Sequence, residues 1–179
     1  MAGMESLDHK TAAVIIPTED VWSAIQAIRL KHDSKVGRGM PHITLVYPFL
    51  PRSRWARAEE ELISTCKSVR PFEISLARFD QFGPGKGYYT LWLVPEPVEP
   101  ILDLHTALCP IAHEDAYELD RAIWHFKPHL SVGQVRGSAR QGPPSTWLRA
   151  RSMAGLSCAR IRFATSSFPC LLGWLRSDQ

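Results

Sequence analysis

The order of hydrophobic and polar positions along the chain predicts a series of short strands separated by helices. The strand-like stretches are rich in apolar residues and are bounded by proline, glycine or polar residues. They lie at 11–16, 43–47, 72–82, 88–94, 129–135, 159–166 and 171–175. Gly-Pro-Gly-Lys-Gly at 83–87 predicts a hairpin turn between two of them, because glycine adopts the positive φ angles that tight turns need.

Apolar residues that recur at three- and four-residue spacing predict the helices. One helix begins near Thr18, whose hydroxyl can cap it, and a second begins near Ser53. A third follows Pro97, and a short fourth lies within 142–156. The stretch His-Glu-Asp-Ala-Tyr-Glu-Leu-Asp-Arg at 113–121 is predicted to be an acidic connection, since most of its residues are polar.

The predicted elements occur twice in the same order, as strand, helix, strand, helix and strand. The first set covers about residues 11–82 and the second about residues 88–167, with little residue identity between them. No linker separates the two sets, so the chain 1–179 is predicted to form a single domain. We expect two similar lobes that share a core and a cleft.

The composition fits a folded protein with a sizeable core. Hydrophobic residues make up 45% of the 179 residues, which excludes global disorder. The net charge of +3 permits a ligand that carries phosphate. The basic stretches at 52–57 and 136–151 are too short for a dedicated duplex-binding protein.

Cysteine usage and hydropathy predict an intracellular protein. The cysteines form no C-x-x-C pair, which predicts reduced thiols; they are Cys66, Cys109, Cys158 and Cys170. The N-terminal residues lack an apolar signal-peptide core, and no apolar run approaches the roughly 20 residues that span a bilayer. We therefore expect a cytoplasmic monomer without membrane contact, with a nuclear location as the alternative.

Two short sequences place a histidine and a hydroxyl residue together at the start of a predicted strand. In Pro-His-Ile-Thr these residues are His42 and Thr44, and in Pro-His-Leu-Ser they are His129 and Ser131. Side chains alternate between the faces of a strand, so each histidine shares a face with its hydroxyl residue. If the lobes oppose each other, two imidazoles and two hydroxyls line one cleft.

Imidazoles on opposite sides of a substrate suit general acid–base catalysis, because histidine titrates near neutral pH. One imidazole takes a proton from water or a hydroxyl and the other delivers one to the leaving oxygen, each role contributing about 10²–10⁴-fold in rate. The hydroxyls of Thr44 and Ser131 can donate hydrogen bonds to the non-bridging oxygens of a phosphate. This chemistry needs no metal ion and no cofactor.

The paired motifs resemble the two His-x-[Ser/Thr] signatures of the 2H phosphoesterase superfamily, which includes the 2′–5′ RNA ligase-like proteins and the cyclic nucleotide phosphodiesterases. The order of elements agrees with that family over most of the chain. The resemblance implies a bilobal α+β fold with pseudo-twofold symmetry around a central cleft and mostly antiparallel sheets. It assigns the functional positions to His42, Thr44, His129 and Ser131, with serine in place of the usual second threonine.

The resemblance also implies an activity, the metal-independent hydrolysis of nucleotide or RNA phosphodiesters such as 2′,3′-cyclic phosphates or 2′–5′ linkages. Two alternatives stay open. One is a non-catalytic nucleotide- or RNA-binding module on the same fold. The other is a 2′–5′ RNA ligase, since ring opening can run backwards when a ribose hydroxyl replaces water. The assignment of acid and base to the two histidines also stays open.

Residues near the motifs are further candidates for substrate contact. On the strand at 88–94, Tyr88 and Trp92 are expected to face the cleft, where an aromatic ring can stack on a base. Phe49 flanks the first motif, and Lys86 can reach an RNA phosphate from the hairpin turn.

Two weaker patterns are given structural interpretations. Asp80 stands where a Walker phosphate-binding loop has its first glycine, which favours the hairpin turn. His125 and His129 have the spacing of metal ligands on a helix, but Pro128 interrupts any helix between them, so no metal site is predicted. His105 lies on an apolar helical stripe and is expected to be packed and hydrogen-bonded.

Overall fold

The computed structural model describes residues 7–85, 87–113, 116–137 and 160–163. These residues form a mixed α and β structure, with two single turns of 3₁₀ helix beside the longer elements. The longer elements are β1 (Ala13–Ile15), α1 (Trp22–His32), β2 (Ile43–Val46), α2 (Arg52–Ser68), β3 (Phe72–Gly85), β4 (Tyr88–Glu96), α3 (Glu99–Ala112), α4 (Ala116–Trp124), β5 (Leu130–Arg136) and β6 (Arg160–Phe163).

The strands form an antiparallel sheet in the order β1-β2-β5-β4-β3-β6. This arrangement confirms the predicted α+β class with antiparallel pairing. The chain crosses from β2 to β5 only after β3, β4, α3 and α4, so two strands that are far apart in sequence become neighbours. The twofold relation between 11–82 and 88–167 stays a prediction, because the helix expected within 142–156 and the strand at 171–175 lie outside the described residues.

The contact between β2 and β5 is made by residues that face the hydrophobic core. Ile43 pairs with Leu130, and both are fully buried. Leu104 and Leu108 of α3 belong to the same cluster, and α3 packs against β2. Each Å² of apolar surface that these residues bury stabilises the fold by about 25 cal/mol, and this burial holds the two central strands in place.

The hairpin between β3 and β4 is confirmed. Its register runs from Ser75 opposite Glu96 to Gly85 opposite Tyr88, and Gly87 takes a φ of 79° in the turn. A residue with a Cβ atom is strained at such an angle, which accounts for the glycine.

Helix α4 forms where the sequence predicted an acidic connection, so that prediction is wrong. Leu119, Ala122 and Ile123 occur at helical spacing and pack against the core, while Glu118 and Asp120 stay at the surface. The apolar stripe is only three residues long and follows polar residues, which hid it. The second helix also begins earlier than expected, at Arg52 rather than after Ser53, and Pro51 occupies its N-cap.

The described cysteines Cys66 and Cys109 are free and buried, as expected for reduced thiols. Cys158 and Cys170 lie outside the described residues. Among the helices of the described ranges, none is both long and apolar enough to cross a membrane.

Candidate active site

The two histidine motifs lie side by side at the centre of the sheet. An antiparallel register with Ile43 opposite Leu130, continued by one residue in each direction, sets His42 beside Ser131 and Thr44 beside His129. Since side chains alternate along a strand, these four side chains point away from the buried face that carries Ile43 and Leu130.

All four residues line one cavity, which we call the α1 cavity. Its volume is about 200 Å³, and its wall includes residues from α1 and the loop after it. The lining residues are Arg29, Asp33, Lys35, Gly39, Met40, Pro41, His42, Thr44, Thr90, His129, Ser131, Gly133 and Gln134. The sequence-based expectation that both imidazoles and both hydroxyls meet in one cleft therefore agrees with the geometry.

The two imidazoles are held by the same local interaction. Nδ1 of His42 donates to the carbonyl oxygen of Met40 at 2.9 Å, and Nδ1 of His129 donates to the carbonyl oxygen of Lys127 at 2.7 Å. A carbonyl oxygen only accepts, so Nδ1 carries the proton in each ring. Nε2 is then the nitrogen that exchanges protons with a substrate.

Burial lowers the pKa of both histidines below the ordinary value of 6.5. For His42 the positive charge of Arg29 and the neighbouring His129 lower the pKa further, and for His129 the ammonium group of Lys127 does so. The hydrogen bonds to the Met40 and Lys127 carbonyls act in the opposite direction. Both rings are therefore mostly neutral at pH 7 in the free protein.

A buried arginine supplies the positive charge beside His42. Arg29 is only 6% exposed, and its Nε lies 3.1 Å from the carboxylate of Asp33 one helical turn later. Its Nη1 donates to the Gly39 carbonyl at 2.9 Å and to the Gln26 side chain at 3.0 Å. These bonds hold the guanidinium in the cavity wall as an ion pair, and the Asp33 carboxylate, which lines the same cavity, offsets part of its charge.

Aromatic rings fix the orientation of His129. The Phe82 and Trp92 rings meet its imidazole edge-on, with ring centroids 4.9 Å and 5.9 Å away. Phe82 and Trp92 stack on each other at 5.1 Å. The Lys127 ammonium lies 4.6 Å from the centre of the Trp92 ring and 3.6 Å from the Asp80 carboxylate. This packing limits rotation of the His129 imidazole, and the two-histidine scheme requires that ring to keep a fixed orientation.

The family assignment follows from comparison with known proteins. A family model described as the 2′-5′ RNA ligase superfamily matches residues 17–163, a range that contains both histidine motifs. The chain belongs to this superfamily. The resemblance found in the sequence is thereby confirmed for most of the chain.

Two curated bacterial relatives of this superfamily member carry the name "Putative phosphoesterase". The protein of Oceanobacillus iheyensis is 28% identical over 126 residues, which cover 70% of each chain. That of Geobacillus kaustophilus is 26% identical over 126 residues, which cover 70% of this chain and 69% of the relative. Membership and these relatives together indicate a phosphodiesterase type of enzyme.

The remaining candidates for substrate contact occupy different environments in this superfamily member. Phe49 is fully buried in the core, so it has no surface for a ligand, which corrects the expectation drawn from its position beside the first motif. Trp92 does lie beside His129, but it is 1% exposed and covered by Phe82 and Lys127. It supports the imidazole and does not offer a face to a base.

The other two candidates are Tyr88, the first residue of β4, and Lys86. Tyr88 is 41% exposed and packs against Arg136, whose guanidinium carbon lies 5.7 Å from the ring centre, and neither residue lines the α1 cavity. Lys86 lies outside the described residues.

The structural interpretation of His105 agrees with the geometry. Nδ1 of His105 bonds to the Leu45 carbonyl oxygen at 2.8 Å, and its ring stacks on Phe126. No group of three possible metal ligands occurs within the described part of the chain, so His125 and His129 are not joined by a third ligand there.

Sequence reasoning missed Arg29 in the wall of the α1 cavity and Lys127 beside His129. It did expect Thr90 to face the cleft, and Thr90 lines this cavity. The four-residue spacing of Arg29 and Asp33 signals an ion pair on a helix, but it does not reveal that the pair faces the histidines. That fact depends on the packing of α1 against β5.

Proposed function

We propose that this protein is a metal-independent phosphoesterase that hydrolyses nucleotide or RNA phosphodiesters, with 2′,3′-cyclic phosphates and 2′–5′ linkages as the substrate class. The observation that carries the proposal is the convergence of both His-x-[Ser/Thr] pairs on the α1 cavity. Membership of the 2′-5′ RNA ligase superfamily and the names of the two relatives support the reaction class.

In the proposed reaction one imidazole is neutral and the other is protonated. Nε2 of the neutral ring takes a proton from water, and the water oxygen forms a bond to phosphorus. The protonated ring gives its proton to the ribose oxygen as the bond from phosphorus to that oxygen breaks. A cyclic phosphate thus opens to a monophosphate, and the two rings have exchanged their protonation states.

The hydroxyls and the arginine stabilise charge on the phosphate. Thr44 and Ser131 share the cavity with the imidazoles, so their hydroxyls can donate to non-bridging oxygens. Arg29 lies in the same wall, paired with Asp33, and can supply a further charged donor there. Because these donors are already in place, little reorganisation is needed as charge develops in the transition state.

The direct test is incubation of the protein with the four nucleoside 2′,3′-cyclic phosphates, with and without EDTA. We expect conversion to nucleoside monophosphates at the same rate in both conditions, and the position of the product phosphate identifies the ester bond that breaks. Stoichiometric nucleotide binding without product would favour the binding-module alternative. If EDTA abolished turnover, the reaction would need a metal ion. That result would contradict the proposal that the two imidazoles alone serve as acid and base.

The lowered pKa values of both histidines predict an acidic optimum. The active form has one neutral and one protonated imidazole, and it is most populated between the two pKa values of the pair. Since both pKa values lie below 6.5, kcat/KM should form a bell with its maximum below pH 6.5. Lys127→Gln removes a positive charge beside His129 and should move the profile to higher pH, whereas Lys127→Arg should not. A maximum above pH 7 in the unmodified protein would contradict this assignment.

A further inference from the structure

A third histidine, His105, is buried in the fold and takes no part in the proposed reaction. It belongs to α3 and is only 3% exposed. Helix α3 packs against both β2 and α4, so this ring lies among the elements that lead to the two histidine motifs. Because buried polar groups are normally hydrogen-bonded, the contacts of the ring show which parts of the chain it holds in place.

One edge of the His105 ring holds β2 next to the first motif. Nδ1 donates to the Leu45 carbonyl oxygen at 2.8 Å, and Leu45 directly follows Thr44. The register between β1 and β2 shifts here, from Val46 opposite Ala13 to Thr44 opposite Val14, and so passes over Leu45. Such a β-bulge frees a backbone carbonyl from the ladder and re-aims the adjacent side chains. The imidazole supplies the donor that this carbonyl needs.

The neutral form of the ring fits this bond. Burial lowers the pKa of His105, the neighbouring Leu45 and Ala122 carbonyls oppose this, and His113 adds a smaller lowering. The Sγ atom of Cys109 lies 3.4 Å from Nε2, and burial raises the pKa of this thiol to about 11. The thiol is therefore protonated and can donate to Nε2, which leaves the proton of the ring on Nδ1, facing Leu45.

The flat face of the ring holds the loop that leads to the second motif. His105 and Phe126 stack with their ring centroids 3.7 Å apart and their planes inclined by 18°. Phe126 directly precedes Lys127, whose carbonyl oxygen accepts the Nδ1 proton of His129. The stack therefore fixes the chain between the end of α4 and the start of β5, where the acceptor for His129 lies.

We propose that His105 is a positioning residue for the two-histidine reaction, which ties the strand that carries Thr44 to the loop that orients His129. The proposal rests on the proposed function and deepens it, because it explains how two motifs that are 87 residues apart keep a common alignment. His105 does not touch the reacting atoms and acts only through its neighbours.

Two substitutions separate the two contacts. His105→Phe keeps a flat ring that can stack on Phe126 but removes the donor to Leu45, whereas His105→Asn keeps a donor near the position of Nδ1 but removes the ring. Ile101→Ala is the matched control, because Ile101 lies one turn earlier on α3, is fully buried and has no polar side-chain atom. All variants are compared at a temperature at which thermal unfolding shows them to be folded.

The contact with Phe126 is tested by the tautomer of His129, a measurement that needs no substrate. NMR of the ring nitrogens shows which nitrogen of a neutral imidazole carries the proton. In the unmodified protein, His129 and His42 should both carry it on Nδ1, as their bonds to backbone carbonyls require. In His105→Asn we expect His129 to populate both tautomers, while His42 keeps its proton on Nδ1 and serves as the internal control.

Phe126→Leu repeats this test from the other ring and covers the case in which His105→Asn does not fold. Phe126 is only partly buried against the core, and leucine keeps an apolar side chain there without an aromatic face. Mixed tautomers of His129 in this variant, with a single tautomer in Ile101→Ala, support the inference. A single Nδ1 tautomer of His129 in both His105→Asn and Phe126→Leu would overturn it.

The contact with Leu45 is tested by the division of the effect between kcat and KM. His105→Phe leaves the Leu45 carbonyl without its donor, so the bulge relaxes and displaces the Thr44 hydroxyl. We expect kcat for a 2′,3′-cyclic phosphate to fall by about 10–100-fold with little change in KM, the loss that a displacement of about 1 Å produces. Equal kcat values for His105→Phe and Ile101→Ala would contradict a positioning role for this bond.

The two measurements keep this inference separate from the proposed function. If the unmodified protein hydrolyses no cyclic phosphate, the proposed function fails. The tautomers of His129 still decide whether His105 orients that ring, since they are recorded without a substrate.

Discussion

Replacing His129 by alanine is expected to lower kcat/KM for a 2′,3′-cyclic phosphate by about 10²–10⁴-fold, the contribution of one acid or base. The ring is fixed from three sides, by the Lys127 carbonyl, Phe82 and Trp92, and it lines the same cavity as His42. Truncation removes a proton-transfer group that water cannot replace with the same position or pKa. The measurement is kcat/KM at the pH optimum of each variant.

A control variant distinguishes a role of His129 in proton transfer from a role of its side chain in filling space. His129→Gln keeps a polar side chain of similar size but cannot titrate, so it should lose as much activity as His129→Ala. Thermal unfolding of both variants shows whether the fold persists. Activity in the glutamine variant close to that of the unmodified protein would mean that His129 serves to hold the structure and not to transfer protons.

The second large effect is expected at Gly133, where β5 touches the end of α1. A Cβ atom added there would lie 2.6 Å from the Cβ of His32 and 2.7 Å from its carbonyl oxygen. Contact with the backbone is not relieved by turning a side chain, so α1 has to move. We expect Gly133→Ala to lower the free energy of unfolding by about 1–3 kcal/mol, the usual cost of overpacking.

Activity should fall in the same variant, because α1 also carries Arg29 into the wall of the α1 cavity. Gly83→Ala is the matched control, since a Cβ at that strand position meets nothing within 4 Å. Denaturant unfolding and kcat/KM of the two variants give the comparison. A Gly133 variant as stable as the Gly83 variant would show that α1 and β5 are not held in this close contact.

The central part of the site was accessible from the sequence because it depends on local rules. A histidine and a hydroxyl residue two positions apart on a strand share a face whatever the rest of the fold does. His42 and His129 are 87 residues apart in the chain, and the two similar motifs were enough to expect them in one cleft. The hairpin between β3 and β4 was predictable for the same reason, since its turn is encoded by the local sequence Gly-Pro-Gly-Lys-Gly at 83–87.

The residues whose environment was predicted wrongly from the sequence have positions that depend on tertiary packing. Trp92 was expected to offer its ring to a base, but the register of β4 against β5 shifts between Leu91 and Trp92, and the ring lies under Phe82 and Lys127. Phe49 follows the first motif closely and yet enters the core. Neither outcome follows from alternation along one strand.

The arginine at the site was hidden for a related reason. Arg29 lies within a helix whose apolar stripe predicts only that some face is buried, and charged side chains are rarely buried unless paired. Its ion pair with Asp33 and its bond to the Gly39 carbonyl make burial possible. Its place beside His42 depends on how α1 packs on the sheet, which no local pattern encodes.

A double-mutant cycle on His42 and His129 tests most directly whether both imidazoles act on one phosphodiester. The kcat/KM for a 2′,3′-cyclic phosphate is measured for the unmodified protein, His42→Ala, His129→Ala and the double variant. If the two rings serve one concerted displacement, each single variant loses most of the activity, and the combined loss is smaller than the product of the single losses. Undiminished turnover in either single variant, or losses that simply multiply, would contradict the account.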